Sequence, residues 1–459
     1  MPRTGVDRYG QGVGMNRETD FIGLTAREIA DGVNDGRWSA EAATRAFLDR
    51  CSALEDRLRA WAALDPDLAI EQARAIDRTI DRGNRHQPLA GVPVGVKDIF
   101  ATADLPTEYG SPIYTGNRPQ VDAACVALSR ASGAVILGKT ATTEFAANNP
   151  TATRNPHDTG RTPGGSSSGS AAAVAAGAAS VAIGTQTAGS VIRPASYCGV
   201  VAYKPTFGYS PRAGLKPSAN SLDTLGFFAR NVGDVALFSS LSSGRKPFPK
   251  YDDPDPAPRF ALCRTAEWSA MESGTQEALE SCVDAIRSAG AIVSDISLPE
   301  TFNGLADAHW TIMAYETTRS LTWERINHPD LLSEKLQAIF ELGESISDED
   351  YGKARVLGSQ CRSRLDDMLG KAEIDVLLGP AAPGEAPEGL ESTGDPILNR
   401  VWTFLHVPCM SLPLLTGPAG MPLGLQAIAR SGRDWQLMRA AAWLEDRLPY
   451  TGAPDDPIA

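Results

Sequence analysis

The sequence predicts an α/β protein, on three observations. From Leu89 onward, short apolar runs at 92–96, 134–137 and 181–183 alternate with helix-like segments at 122–132 and 168–178, the pattern of a sheet whose crossovers are helices. The 459 residues are 42 % apolar, ample for a sizeable core. An alanine-rich run over 171–179 reads as a buried central helix, because small side chains let neighbouring elements pack close to the backbone.

The first twenty residues carry Arg3, Asp7, Arg8, Arg17, Glu18 and Asp20 and lack the apolar core of a signal peptide. They read as a flexible leader, with Met15 as an alternative start to Met1, ahead of a single domain over 21–459. Thr25 with Glu28 has the form of a capping box, and Ser39 opens a second helix carrying Ala43, Phe47, Leu48 and Cys51 at helical spacing. The α/β core follows at about 89–240. Residues 246–259, rich in proline and aspartate, have the composition of an exposed connection and lead to a C-terminal half at about 260–448. There, strands at 260–264 and 291–295 surround a helix at 274–289, residues 301–370 are largely helical, and strands at 375–379 and 423–429 precede a closing helix at 433–447.

Charge and cysteine usage narrow the class. A formal charge of −13 excludes a general nucleic-acid binder, which needs a basic face to meet phosphates. Cys51, Cys125, Cys198, Cys263, Cys282, Cys361 and Cys409 are scattered and odd in number, without the paired spacing of a zinc site or the density of a disulfide scaffold. No run of about 18 uncharged apolar residues offers a membrane span. A cytoplasmic protein with no metal, no cofactor and no membrane contact is the expectation.

Two glycine-serine turns point to serine chemistry: Gly164-Gly165-Ser166-Ser167-Ser168-Gly169-Ser170, at the start of the alanine helix, and Gly184-Thr185-Gln186-Thr187-Ala188-Gly189-Ser190. Glycine uncovers backbone amides and serine supplies hydroxyls that can act as nucleophile, acid or base. Amide hydrolysis by serine also needs a base and N–H donors for the oxyanion. His86, His157, His309, His328 and His406 lack a triad context and read as surface or structural histidines. Lys97 is the candidate base: it ends the apolar segment 91–96, and if buried it would be held as a neutral amine. Strand alternation sends Asp98 to the opposite face, away from it. The alternative for Lys97 is a strand-end lysine reaching to water, and for the serines it is ordinary helix capping. A phosphate-binding role for the glycine-serine loop is excluded, since no Gly-Lys-Ser/Thr follows.

With these residues in view the chain resembles the amidase signature family, over residues 24–448 and in order. The resemblance is carried by 91–98, Gly138-Lys139-Thr140 with Thr143-Glu144-Phe145-Ala146, Asn155-Pro156-His157-Asp158, 163–173, 184–195, Cys198-Gly199-Val200-Val201, Lys204-Pro205-Thr206, Ser221-Leu222-Asp223-Thr224 with Gly226 and Arg230, and Gly424-Leu425-Gln426. It implies the amidase signature fold, a central mixed β-sheet flanked by many α-helices. It also implies a Ser-cisSer-Lys triad: Lys97 as base, Ser166 as the bridging serine after a cis peptide bond, and Ser190, 24 positions later, as nucleophile. The N–H groups of Thr187, Ala188, Gly189 and Ser190 would form the oxyanion hole, and Ser167 would support Lys97 by a hydrogen bond. Ser168 and Ser170 keep a structural reading.

The second turn departs from the commoner family pattern Gly-Thr-Asp-Thr-Gly-Gly-Ser-Ile-Arg. Gln186 replaces the acid, Ala188 adds a methyl that would narrow the acyl pocket, and the arginine moves one step to Arg193. This version is similar to the malonamidase-like branch, in which the arginine three residues after the nucleophile binds a substrate carboxylate. For Arg193 the alternatives are that role and a structural salt bridge. Ile99, Phe100, Tyr109, Asn148, Trp310, Trp402 and Phe404 are read as either pocket lining or core.

The resulting expectation is an amidohydrolase cleaving the C–N bond of a small carboxamide through an acyl-enzyme on Ser190, with a small-molecule amide as partner, no nucleic acid, and a homodimer as the assembly common among relatives. The alternatives are the amidase subunit of a tRNA-dependent amidotransferase complex and a non-catalytic binding protein on the same scaffold.

Overall fold

The computed structural model describes residues 19–83, 86–249 and 257–450. Most of the leader, with Met15, and positions 250–256 of the connection lie outside the described residues. Eleven strands form one sheet: β1 (Trp61–Leu64), β2 (Pro93–Lys97), β3 (Val135–Thr140), β4 (Val181–Gln186), β5 (Val201–Lys204), β6 (Thr224–Ala229), β7 (Arg259–Arg264), β8 (Ile292–Ser297), β9 (Val376–Pro380), β10 (Cys409–Thr416) and β11 (Pro422–Ile428). Their spatial order is β1-β3-β2-β4-β6-β5-β10-β11-β9-β7-β8. The sheet is mixed: β3, β2 and β4 run parallel, as do β8, β7 and β9, while the strands between pair antiparallel. The amidase signature fold is therefore present, with helices on both faces.

Strands β1, β5, β6 and β10 are absent from the sequence-based reading. Strands β5 and β6 are buried along their whole length, and a strand covered on both faces loses the apolar-polar alternation that marks a half-exposed one. Local signals served the N-terminal helices better. Thr25 Oγ1 accepts from Glu28 N at 3.1 Å while Glu28 Oε2 accepts from Thr25 N at 2.9 Å, and Ser39 Oγ caps Ala42 N at 3.0 Å.

The parallel trio at one end of the sheet positions the site. The register Val94↔Val181, Gly95↔Ala182, Val96↔Ile183 carries the last residue of β2, Lys97, to the Gly184–Thr185 end of β4, the carboxyl edge where α/β sheets place their chemistry. The alanine-rich helix, Ser168–Ala175, is shorter than the expected 168–178 and is buried except at Ala175. A Cβ on Gly169 would stand 2.1 Å from Ala60 O and 2.4 Å from Ala141 N. That close approach locks the helix, and the serines before it, against the sheet.

Candidate active site

Lys97 has no exposed surface, and its Nζ lies 2.7 Å from Ser166 Oγ and 2.8 Å from Thr185 Oγ1. No carboxylate pairs with it among the described residues. Burial holds its pKa well below the usual lysine value, with the charge of Asp223 a weaker opposing influence. Asp98, on the other side of the strand, pairs instead with the buried Lys139 at 2.9 Å. Lys139 also donates to Phe100 O at 2.9 Å and Thr107 Oγ1 at 2.6 Å. One residue of strand alternation thus separates a paired charge from an unpaired amine.

Ser166 follows a cis peptide bond from Gly165. Its neighbour Ser167 makes no hydrogen bond to Lys97, contrary to the expectation from the family. Ser167 Oγ donates to Thr185 O at 3.2 Å and accepts from Thr185 N at 3.3 Å, so it fastens the strand while the hydroxyl of Thr185 takes the place beside the amine. The register of β2 against β4 is the signal that points to Thr185, and it exists only once the sheet is assembled. Ser168 Oγ donates to Gly164 O at 2.7 Å, and Ser170 Oγ donates to Ile183 O and bonds Thr140 Oγ1, both structural contacts.

Residues 187–190 lie between β4 and the helix Ile192–Cys198 and are tied from outside the loop. Thr187 Oγ1 donates to the buried Asp223 at 2.6 Å, and Thr403 Oγ1 donates to Ala188 O at 2.7 Å. His309 is fully buried, its pKa drawn down to about 4 by burial, and its Nε2 lies 2.8 Å from Thr187 O. A neutral ring beside a carbonyl donates from that nitrogen. Gln186 Oε1 accepts from Val191 N at 2.8 Å and Ile192 N at 3.0 Å while its Nε2 donates to Thr403 Oγ1 at 2.9 Å. An ionised aspartate has no donor for that last bond, which accounts for the amide where the family commonly has an acid. These ties engage carbonyls and side chains, leaving the N–H groups of Thr187, Ala188, Gly189 and Ser190 outside both the β4 ladder and the following helix. A Cβ on Gly189 would sit 2.5 Å from Asn399 Oδ1, so the loop can close on the helix Ile397–Phe404 only with glycine there.

Arg193 is buried, and Nη2 donates to Gly165 O at 2.7 Å and Thr393 Oγ1 at 3.1 Å. Its Nε and Nη1 have no partner, and no acid forms a salt bridge with it, among the described residues. Burial lowers its pKa to about 10. A cavity of ≈ 520 Å³ opens over Ser190, Thr187, Ala188 and Arg193. Of the side chains left between pocket and core, Asn148 and Trp310 line it. Ile99, Phe100, Trp402 and Phe404 belong to the core, and Tyr109 packs against it beside Phe145. Thr185, Thr403, Arg400, Asp223 and His309 also belong to the site, although no motif marks them for it.

Three of the other histidines bond or pack elsewhere than at Ser190: His157 Nε2 meets Cys198 O, His406 Nε2 meets Ser221 O, and His328 packs on Trp323. The seven cysteines are buried free thiols. Among the described residues no cluster of ligating side chains could hold a metal ion, and no helix is long and apolar enough to cross a membrane.

A family model described as Amidase matches residues 42–438. The A subunit of glutamyl-tRNA(Gln) amidotransferase from Anaeromyxobacter sp. (strain K) is 34 % identical, the match covering 95 % of this chain and 98 % of that one. Its counterpart of the same name from Thermobifida fusca (strain YX) is 33 % identical, covering 94 % and 97 %. Among solved structures, one described as "An unexpected vestigial protein complex reveals the evolutionary origins of an s-triazine catabolic enzyme" superposes with a TM-score of 0.87 at 28 % identity, covering 94 % of this chain and 100 % of that one. Native peptide amidase from Stenotrophomonas maltophilia gives 0.79 at 28 % identity, covering 95 % and 99 %. These relatives overturn the exclusion of nucleic acid and of partners other than a small amide, because proteins alike over nearly the whole chain are subunits of an enzyme named for a tRNA. Net charge speaks only to whether this chain presents a basic face to phosphates. It is silent on what the other members of an assembly bind.

Proposed function

Because the chain belongs to the amidase family, we propose that it breaks a carboxamide C–N bond through an acyl-enzyme on Ser190, and does so as the amide-cleaving subunit of an amidotransferase-type assembly. The observation that carries the chemistry is the 2.7 Å contact between Ser166 Oγ and an amine that has no carboxylate to keep it protonated. Neutral Lys97 takes the proton of Ser166 as Ser166 takes that of Ser190, and Ser190 Oγ attacks the carbonyl carbon. The negative charge that develops on the carbonyl oxygen falls to the N–H groups of residues 187–190. The proton then returns through Ser166 to the leaving nitrogen, the C–N bond breaks, and ammonia departs. Water adds to the acyl-Ser190 ester with Lys97 again accepting the proton, releasing the acid and restoring the hydroxyl. Arg193, which lines the cavity and has two buried nitrogens without a partner among the described residues, is the group to meet a carboxylate on the substrate. Glutamine bears both a carboxamide and a carboxylate.

The assembly reading draws its support from relatives at 31–34 % identity that are amidotransferase A subunits. A second reading, hydrolysis by the chain alone with ammonia lost to water, is favoured by the departures at Gln186, Ala188 and Arg193 from the commoner family turn. Ammonia release from glutamine, measured for the chain alone and after reconstitution with the other amidotransferase subunits, separates the two. Release confined to the assembly supports the first, and equal release by the isolated chain replaces it with the second. Absence of a fluorophosphonate adduct on Ser190 would refute both.

A further inference from the structure

The cavity over Ser190 is opposite in sign to the rest of the molecule. In a chain of net charge −13, its wall carries Arg193, Lys335 and Arg400 against the single carboxylate of Asp395. Two of these charges are already engaged elsewhere: Lys335 Nζ donates to Glu391 O at 2.5 Å, and Asp395 Oδ1 accepts from Ile397 N at 2.9 Å at the start of the helix Ile397–Phe404. The two arginines are left with capacity. Among the described residues, Arg193 Nε and Nη1 and Arg400 Nε are buried without a hydrogen-bond partner. The ion pair that Arg400 makes, Nη2 to Asp395 Oδ1, is long at 3.8 Å.

Arg400 is also held in place. It lies on the helix whose preceding residue, Asn399, packs against Gly189, so its backbone is fixed relative to the nucleophile loop. Its guanidinium carbon stands 5.0 Å from the centroid of the Trp310 ring, a cation–π contact that orients the planar fork at little further entropic cost. The positive charge of Arg400 disfavours the charged form of Arg193, so each arginine gains when an anion comes between them or alongside. The ≈ 520 Å³ cavity is within the range of sites for whole small metabolites and far larger than a one- or two-carbon amide requires.

We propose that this cavity accepts amides with one carboxylate, such as glutamine, at Arg193 and binds those carrying a second carboxylate more tightly, the second being met by Arg400 on its Trp310 platform. This rests on the reading of the cavity as the site of amide cleavage at Ser190, and it adds a specificity-determining residue that no serine motif reveals.

The test uses product acids, whose binding does not depend on turnover. Butyrate, succinate and tricarballylate, with one, two and three carboxylates, stand for the acids released from amides with none, one and two. Calorimetric titration of the full chain is expected to show tricarballylate binding at least tenfold tighter than succinate. Arg400→Gln should abolish that ratio, and Arg400→Lys, which keeps the charge, should restore part of it. Equal affinity for succinate and tricarballylate in the parent protein, or an unchanged ratio in Arg400→Gln, would overturn the proposal. Labelling of Ser190 by a fluorophosphonate, run on the same samples, reports separately on the amide-cleavage reading: loss of labelling with the affinity ratio intact removes the chemistry and leaves the two-anion site standing.

Discussion

Arg193 Nη2 donates to the carbonyl oxygen of Gly165 at 2.7 Å, so the arginine three residues after Ser190 holds the backbone immediately before Ser166. The two glycine-serine turns are thereby joined by one side chain. A group that lines the cavity also holds the backbone before Ser166, so under the proposed relay its removal acts on both.

Arg193→Ala is accordingly expected to lower kcat for neutral amides by about tenfold, the loss of one charge-assisted hydrogen bond that positions Gly165. For carboxylate-bearing amides KM should rise as well, by a further factor of about ten or more. Steady-state kinetics on butyramide and succinamate read the two effects. A loss confined to succinamate would mean that the bond to Gly165 O does not serve the relay.

Ser190→Ala is expected to abolish turnover and fluorophosphonate labelling with little change in melting temperature, since the hydroxyl is not among the groups that tie the loop to its surroundings. Lys97→Met should be nearly as inactive, with acylation the affected step. It should also be more stable than the parent near neutral pH. Between the lowered folded pKa of Lys97 and the usual value of 10.5 the unfolded chain binds a proton that the folded chain does not, and the penalty built up over that window opposes folding at every lower pH. A less stable Lys97→Met protein would contradict the neutral-amine assignment.

Thr185→Val removes the second partner of the Lys97 amine. An acceptor oxygen favours the ammonium form, so its loss should carry the acid limb of the kcat/KM profile to lower pH while reducing the plateau about tenfold. Thr185→Ser should return both to the parent values. A reduced plateau with an unmoved acid limb would assign Thr185 to packing alone.

His309 gives the fold a pH dependence. Its folded pKa of about 4 lies below the ordinary 6.5, so as the pH falls through 6.5 the unfolded chain takes up a proton that the folded chain refuses. Stability is therefore full above 6.5 and declines toward pH 4, by up to about 3 kcal/mol from this residue. His406, likewise at about 4, acts in the same direction. Urea denaturation at pH 7 and pH 4.5 should show the decline, and His309→Gln should flatten it. An unchanged slope in that variant would place the proton uptake elsewhere.

Much of the site was legible in the sequence because its chemistry is written in short, local motifs. The apolar segment ending in Lys97, the glycines that permit the two turns, and the serines within them each announce a residue type that the reaction needs. Helix starts at Thr25 and Ser39 were legible for the same reason, since a cap and the amides it satisfies lie within three residues of each other. Ser167 shows where such reading stops. Its place in the motif suggested a bond to Lys97, but the register of β2 on β4 gives that place to Thr185.

The order of the chemical parts is set by the chain alone: a lysine closing an apolar segment, two glycine-serine turns, and an arginine three residues past Ser190. What each part touches depends on the assembled fold. Burial holds the Lys97 pKa well below the usual lysine value, and Asp98 pairs with Lys139 across the strand. The loop 187–190 is held by Asp223, His309 and Thr403 from three distant segments. Arg400 reaches the cavity because its helix packs on Gly189. Caps and turns are set by contacts a few residues apart, whereas the electrostatics of a buried site depend on groups that only folding brings together.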